Sequence, residues 1–335
     1  MKKVTGFAYH KLGSRYVAEY KHGAWQEGKL TKRASITLSE SACVLQYAQT
    51  CFEGLKAYRT ADGRIVCFRP ELNAARLADS CRRMMIPPVP EEMFLEAVRE
   101  VVQANGAWVP PYEDGGSLYI RPFVFGKNAV IGVQSATEFE FRVFATPVGS
   151  YFHGGARPLR LRVSDLDRAA PHDTGHIKAG LNYAMSLYAI TDAHEQGYDE
   201  NLYLDSGTRT FVEETGGANI LFVTKEGGVV TPKSPTILPS VTRRSLLYVA
   251  RNYLHIPAEE RPIRADELGD FAECGLCGTA AVISPVGEID DHGKIYRYGA
   301  PDGGESVIGK LYGTLTGIQH GTIPAPEGWL MEIGK

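Results

Sequence analysis

His176-Ile177-Lys178-Ala179-Gly180-Leu181-Asn182-Tyr183 sets one lysine beside a glycine, with an amide and a phenol close behind it in the chain. Such a run can hold a carbonyl cofactor, with Lys178 as its Schiff-base lysine. An amine that attacks a carbonyl must be neutral, so it needs partial desolvation or a neighbouring cation to pull its pKa down. Taken alone, the run reads as a solvated surface lysine, as most lysines are. Three downstream segments supply what a Schiff-base lysine requires: a carboxylate before a glycine pair, a hydroxyl-rich helix start and a small-residue turn.

The carboxylate is Glu214, in Glu213-Glu214-Thr215-Gly216-Gly217-Ala218-Asn219. Glycines there let backbone approach a flat ligand, and a carboxylate can keep a ring nitrogen protonated. A protonated pyridine ring is the electron sink of pyridoxal phosphate chemistry. The competing reading is a plain β-turn with two solvated acids. Leu238-Pro239-Ser240-Val241-Thr242-Arg243 enters an amphipathic helix, whose first N–H groups, at Val241 and Thr242, suit a phosphate. An ordinary Ser/Thr N-cap would look the same. Gly278-Thr279-Ala280-Ala281 offers a second hydroxyl and close backbone N–H groups, and Arg76 is the cationic partner expected for a phosphate.

In Tyr119-Ile120-Arg121 the phenol and guanidinium fall on one side of a strand, because side chains alternate with period two. Together they can hold a carboxylate, and Tyr47, Phe52 and Tyr183 are the aromatic residues expected to shape an apolar pocket. Cys274-Gly275-Leu276-Cys277 lacks the two further ligands a zinc site requires, so no metal is expected. Buried cysteines leading into a turn are the expectation there, with a redox pair as the lesser alternative.

The chain has 335 residues and a formal net charge of -3, with acids and bases interspersed. That balance leaves no electrostatic footprint for nucleic acid or a membrane surface. His10, Lys11, Arg15 and Glu19 interrupt any apolar leader, and no run approaches the roughly 18 apolar residues of a membrane span. A cytoplasmic location is therefore expected. Six scattered cysteines predict reduced thiols rather than a disulfide scaffold. Strands and helices in mixed order, with hairpins and no regular βαβ cadence, predict an α+β fold. The expected division is a small N-terminal α/β domain over 1–147, a linker over 148–157 and a larger C-terminal cofactor-binding domain over 158–335. Helices are expected over Ser39–Tyr47, from Pro70 to before Pro87, over Glu91–Asn105, about Asn182–Glu195 and about Thr242–Tyr253. A strand is expected over Ala280–Ile283.

Phe-Glu-Gly-Leu-Lys-Ala-Tyr (52–58), Tyr-Ile-Arg-Pro (119–122), Lys-Ala-Gly-Leu-Asn-Tyr (178–183), Glu-Thr-Gly-Gly-Ala-Asn (214–219), Leu-Pro-Ser-Val-Thr-Arg (238–243) and Gly-Thr-Ala-Ala (278–281) resemble, in order and spacing, the branched-chain aminotransferases. These are class IV, fold-type IV enzymes dependent on pyridoxal 5'-phosphate. The resemblance covers nearly the whole chain. It implies a barrel-like sheet in the larger domain and a homodimer with its active site between the domains. It places the Schiff-base role on Lys178, the bond to the cofactor's ring hydroxyl on Tyr183 and the pyridine-nitrogen partner on Glu214. The phosphate cup falls on Arg76, Val241, Thr242 and Thr279. Substrate carboxylate recognition falls on Tyr119 and the Thr279-Ala280 backbone with Arg121 nearby, and the pocket aromatics are Phe52 and Tyr47, the latter reaching across the dimer. Leu181 departs from the family's frequent second glycine, and the cysteine pair precedes the Gly-Thr-Ala turn rather than following it.

The implied activity is transfer of the amino group between leucine, isoleucine or valine and 2-oxoglutarate, with amino acids and 2-oxo acids as small-molecule partners. A D-amino-acid transaminase, an aminodeoxychorismate lyase and a non-catalytic vitamin-B6-binding protein are the rivals. Tyr-Ile-Arg-Pro argues against the D-specific enzymes, which carry an Arg-x-His pattern at that strand.

Overall fold

Aromatic and β-branched residues dominate Ser117–Gly126 and Phe139–Val148, and both segments are ten-residue strands buried along most of their length. The computed structural model describes residues 6–149, 157–170, 172–299 and 305–334. In chain order its elements begin β1 (Arg15–Lys21), β2 (Ala24–Trp25), β3 (Lys29–Thr31), α1 (Cys43–Tyr47), β4 (Thr50–Phe52), β5 (Leu55–Arg59), β6 (Ile65–Phe68), α2 (Pro70–Arg83), α3 (Glu91–Ala104), β7 (Ser117–Gly126) and β8 (Phe139–Val148). There follow β9 (Leu159–Val163), α4 (Gly180–Glu195), β10 (Glu200–Leu204), β11 (Val212–Thr215), β12 (Asn219–Thr224), β13 (Val229–Pro232), α5 (Val241–Asn252), β14 (Ala258–Arg261), β15 (Phe271–Gly278), β16 (Val282–Asp291), β17 (Lys294–Arg297), α6 (Val307–Gln319) and β18 (Leu330–Gly334). The fold is α+β.

The chain divides into two units, each with its own nine-stranded sheet. The first spans Met1–His153 and takes in Ile177–Gly180 and Ile318–Lys335; the second spans Gly154–His176 and Leu181–Gly317. A boundary read along the chain could not place Ile177–Gly180 or the C-terminal segment with the first unit. β18 pairs with β6 across some 260 positions of sequence, a contact no local pattern announces. Of the linker expected over 148–157, residues 150–156 lie outside the described residues.

In the first sheet the order is β18-β6-β5-β7-β8-β1-β2, with β3 on β1 and β4 also on β7. β7 therefore has two partners on one edge: β5 opposite Leu118–Ile120 and β4 opposite Phe123–Phe125. Between them lies Pro122, which has no N–H to give to a ladder. Its carbonyl accepts from the backbone N–H of Glu53 at 2.8 Å, so the chain crosses from β4 to β5 at Glu53-Gly54 where the proline interrupts the pairing. The apolar stripe of α3, Phe94, Ala97, Val98, Val101 and Val102, is buried, as its helical spacing predicts.

The second sheet runs β11-β10-β9-β16-β15-β12-β13-β14, with β17 on β16. Leu161, Leu202, Ile220, Phe222, Ile263 and Ile289 lie at the centre of its core and are fully buried. β15 and β16 form a hairpin connected by Thr279-Ala280-Ala281, with Gly278 closing β15 opposite Val282. The strand expected over Ala280–Ile283 is thus corrected: residues 279–281 are the turn and the strand begins at Val282. The helix expected over Ser39–Tyr47 shortens to Cys43–Tyr47, since Ser39-Glu40-Ser41 has no helix-forming stripe and makes turn bonds instead.

Candidate active site

Lys178 is fixed by its backbone in the first unit. Its carbonyl accepts from the Phe52 N–H at 3.1 Å, its own N–H donates to the Ser80 hydroxyl at 3.0 Å, and Ala179 bridges to Cys51. The side chain is half-buried, with Nζ 4.9 Å from the centroid of the Phe52 ring. The Arg121 guanidinium also lies over that ring, at 4.7 Å. Arg121 donates to the Tyr119 hydroxyl at 2.9 Å, as two residues on one side of a strand can. An amine, a guanidinium, a phenol and an apolar ring are thereby gathered in one place. Gly54 leaves room for this phenol, since a Cβ there would fall 2.2 Å from the Tyr119 hydroxyl.

Asn73, Arg76 and Ser80 recur at helical spacing and share one buried face of α2. Ser80 meets Lys178, while Asn73 and Arg76 meet Glu53. Glu53 is fully buried; Arg76 binds it in a fork, Nε to Oε1 at 2.7 Å and a terminal nitrogen to Oε2 at 2.8 Å, and Asn73 donates at 2.8 Å. Burial alone would push the Glu53 carboxyl up, but Arg76 beside it, with Lys178 and Asn73, holds it below the ordinary value. Arg76, expected at a phosphate, is thus first the partner of a carboxylate. Glu53 itself was not among the expected site residues. Its signal was an acid inside the apolar run Cys51–Tyr58, where only a paired carboxylate can be buried.

In the second unit Glu214 is 3% exposed. Its Oε1 accepts the Leu238 N–H at 2.8 Å and lies 2.9 Å from the Arg168 guanidinium, and Oε2 accepts from the Asn219 amide. Burial raises the Glu214 carboxyl above its usual range, with Arg168 and the Leu238 N–H offsetting part of that. The solvated-turn alternative fails for Glu214. α5 starts at Val241, one residue before the expected Thr242, with the Ser240 hydroxyl accepting from the Arg243 N–H at 3.1 Å. The helix itself provides no acceptor for the N–H groups of Val241 and Thr242, which keeps its positive end available to an anion. Thr279 is half-buried and Ala280 exposed on the β15–β16 turn. Tyr183 is half-buried on the first turn of α4, where Asn182 bonds back to Thr174. Tyr47 ends α1 in the first unit and donates to the Ile131 carbonyl.

Cys274 and Cys277 are buried in β15 with free thiols, and burial pushes the Cys277 thiol up to about 12. Neither has the exposed thiolate character that redox chemistry needs. Arg168 and Asn219 were also missed from sequence. Nothing local distinguishes Arg168 from a surface arginine, whereas Asn219 closes the glycine turn that begins with Glu214.

The residues suit an anionic, hydrogen-bonding aromatic ligand. Arg121 Nε, Arg168 Nε and Asn219 Oδ1 are buried side-chain atoms with no hydrogen-bond partner in the protein. Buried polar atoms are ordinarily satisfied, and three of the eight buried side-chain atoms left without a hydrogen-bond partner among the described residues lie on these residues.

Residues 50–289 match the family model of the class IV amino-transferases. The branched-chain-amino-acid aminotransferase of Helicobacter pylori is 48% identical over 99% of this chain and 97% of its own length, and that of Haemophilus influenzae 47% identical over 98% and 97%. The branched-chain-amino-acid transaminase 1 of Bacillus subtilis is 40% identical over 98% and 94%. Among solved structures, the Escherichia coli branched-chain amino acid aminotransferase aligns with a TM-score of 0.78 at 26% identity, over 96% of this chain and all of that one. The enzyme of that name from Thermobaculum terrenum in its PLP form aligns at 0.78 and 25% identity, over 96% and 99%. With the lysine, the buried carboxylate and the helix start in place along a chain that matches these proteins nearly end to end, it belongs to the class IV aminotransferases.

Proposed function

We propose that this chain transfers the amino group between leucine, isoleucine or valine and 2-oxoglutarate, using pyridoxal 5'-phosphate. The observation that carries the substrate assignment is the pairing of Lys178 and Arg121 over the Phe52 ring, with Tyr119 bonded to Arg121. An α-amino acid with an aliphatic side chain needs an amine to move its Cα proton, a cation or phenol for its carboxylate and an apolar wall. All three occur there. The names of the relatives matched over nearly their whole length support the same substrate class.

The bound cofactor supplies the electron sink that lets Cα release its proton. We assign the remaining work to the chain. Lys178 would hold the cofactor through its amine and would move the Cα proton as general base and then acid. Glu214 keeps the ring nitrogen protonated and Tyr183 bonds the ring hydroxyl. Val241, Thr242, Thr279 and Arg76 hold the phosphate, with Glu53 setting the direction of the Arg76 fork. Tyr119 and the Thr279-Ala280 backbone receive the carboxylate common to all substrates, Arg121 close by serves mainly the second carboxylate of glutamate, and Phe52 and Tyr47 bound the side-chain pocket. We assign the enzyme to the cytoplasm as a homodimer. Leu45, Ile131 and Val133, near or at the Tyr47–Ile131 bond, are exposed at 59%, 79% and 91%, an apolar patch of the kind a partner covers.

The test is a set of single half-reactions on the cofactor-loaded protein, followed by absorbance. L-leucine is expected to convert the cofactor fully while D-alanine and aminodeoxychorismate do not. Conversion by either of the latter without leucine would overturn the assignment.

A further inference from the structure

The Glu214 carboxylate has three kinds of partner: a backbone N–H at Leu238, an amide at Asn219 and a guanidinium at Arg168. The third has no place in the chemistry assigned so far. Arg168 is 7% exposed, and its terminal nitrogen donates to the carbonyls of Gly175 at 2.7 Å and Thr236 at 2.8 Å. Those two bonds use both hydrogens of that nitrogen, so Glu214, 2.9 Å away, is held mainly by charge. Among the described residues Glu214 is the only carboxylate within ion-pair distance of Arg168. The neighbouring acid Asp167 pairs with Arg209 instead.

The cradle is built tightly. A Cβ on Gly175 would lie 2.0 Å from the Thr236 carbonyl oxygen and 3.1 Å from the Arg168 nitrogen, so only glycine lets the two carbonyls converge on the guanidinium. Other charged or titratable groups near Glu214 are less free to act on it. Arg243 donates to the Pro232 carbonyl and pairs with Glu260 at 3.1 Å, and the Cys277 thiol is neutral and buried.

A carboxylate hydrogen-bonded to a pyridine nitrogen shares one proton with it. The proton rests on nitrogen when the carboxylate is the better-stabilised anion, and on oxygen when burial makes the acid form cheaper. A fixed cation beside the carboxylate favours the first arrangement. We infer that Arg168 is a positioning residue that keeps Glu214 in its ionised form and so places the shared proton on the cofactor's ring nitrogen. This rests on the assignment of Glu214 to that nitrogen. Burial does work against the ionised form at this site, which is what makes a fixed counter-charge necessary.

The experiment loads wild type, Arg168→Lys, Arg168→Gln and Glu214→Gln with cofactor labelled with 15N at the ring nitrogen, and reads its NMR shift at neutral pH. Wild type and Arg168→Lys are expected in the protonated range, Arg168→Gln and Glu214→Gln in the unprotonated one. In parallel kcat for leucine falls about 10- to 100-fold in Arg168→Gln, the scale of losing a supporting partner of a site group, with KM little changed. A protonated nitrogen in Arg168→Gln, with Glu214→Gln unprotonated, overturns the inference and leaves the Glu214 assignment standing. A protonated nitrogen in Glu214→Gln shows that the assignment itself fails. Because Arg168→Gln removes a buried charge partner and can fail to fold, a second measurement uses cofactor-free wild type with 13C-labelled glutamate carboxyls. There the signal lost in Glu214→Gln is expected to be that of an ionised carboxylate at neutral pH, and a protonated carboxyl overturns the inference.

Discussion

Glu53 shows how one buried charge organises its neighbours. Its carboxylate fixes Arg76 in a fork and lies close enough to Lys178 to be held down by it. Removing one member of a buried pair leaves the other uncompensated, so Glu53→Gln is expected to lower stability by about 3–5 kcal/mol at neutral pH. The carboxyl binds its proton less tightly in the folded than in the unfolded chain. Its contribution is therefore present above the unfolded value near ~4.3 and is lost as pH falls through the lower folded one. Urea titrations of wild type and Glu53→Gln should converge as pH drops below that range, and a constant difference would show that the pair is not ionic. Arg121 gives a second prediction. It lies over the Phe52 ring beside Lys178, and we assign its charge chiefly to the second carboxylate of glutamate. A charge-assisted hydrogen bond contributes about 1.5–3 kcal/mol, so Arg121→Met should reduce kcat/KM for glutamate roughly 10- to 150-fold and that for leucine far less. Equal losses in stopped-flow half-reactions would mean that Arg121 holds the carboxylate common to both.

At the scale of elements, the crossing from β4 to β5 at Glu53-Gly54 is what brings Glu53, Phe52 and Tyr119 together. Gly54 has to be glycine because the Tyr119 hydroxyl occupies the space a side chain would need, and Tyr119 is itself packed edge-on against Phe7 at 4.8 Å. Gly54→Ala is expected to destabilise by about 1–3 kcal/mol through overpacking, and Tyr119→Phe in that background should restore part of it. Denaturant midpoints of the two variants decide this; no recovery would place the strain in the backbone. Local pattern was enough to read much of this layer. The α3 stripe, the start of α5 within one residue and the alternation of Tyr119 with Arg121 follow from period and turn chemistry, whereas the apolar spacing of α2 does not mark its buried face: Ala75 is exposed, and Asn73, Arg76 and Ser80 are buried. β15 was missed because Ala272-Glu273-Cys274-Gly275 breaks any alternation. The carboxylate of Glu273 is there for a tertiary reason, accepting from Ser306, Val307 and Ile308 at the start of α6. Arg168 escaped for the same cause: its partners, Gly175, Glu214 and Thr236, are brought to it by folding and not by sequence spacing.

On the scale of the whole molecule, the two sheets each close their own core, and β18 returns to the first sheet from the far end of the chain. Exposed Leu45, Ile131 and Val133 in the first unit call for a cover, which we assign to a second copy. Sedimentation should give twice the 36.7 kDa chain mass, and Val133→Asp should weaken the dimer because a charge in an apolar interface has to be desolvated. A monomeric wild type would remove the partner from the account. The central claim is that Lys178 carries the cofactor. Borohydride reduction of the loaded protein followed by peptide mapping tests it most directly: the reduced pyridoxyl group is predicted on Lys178 alone, and its attachment to any other lysine, or its absence, would contradict the account.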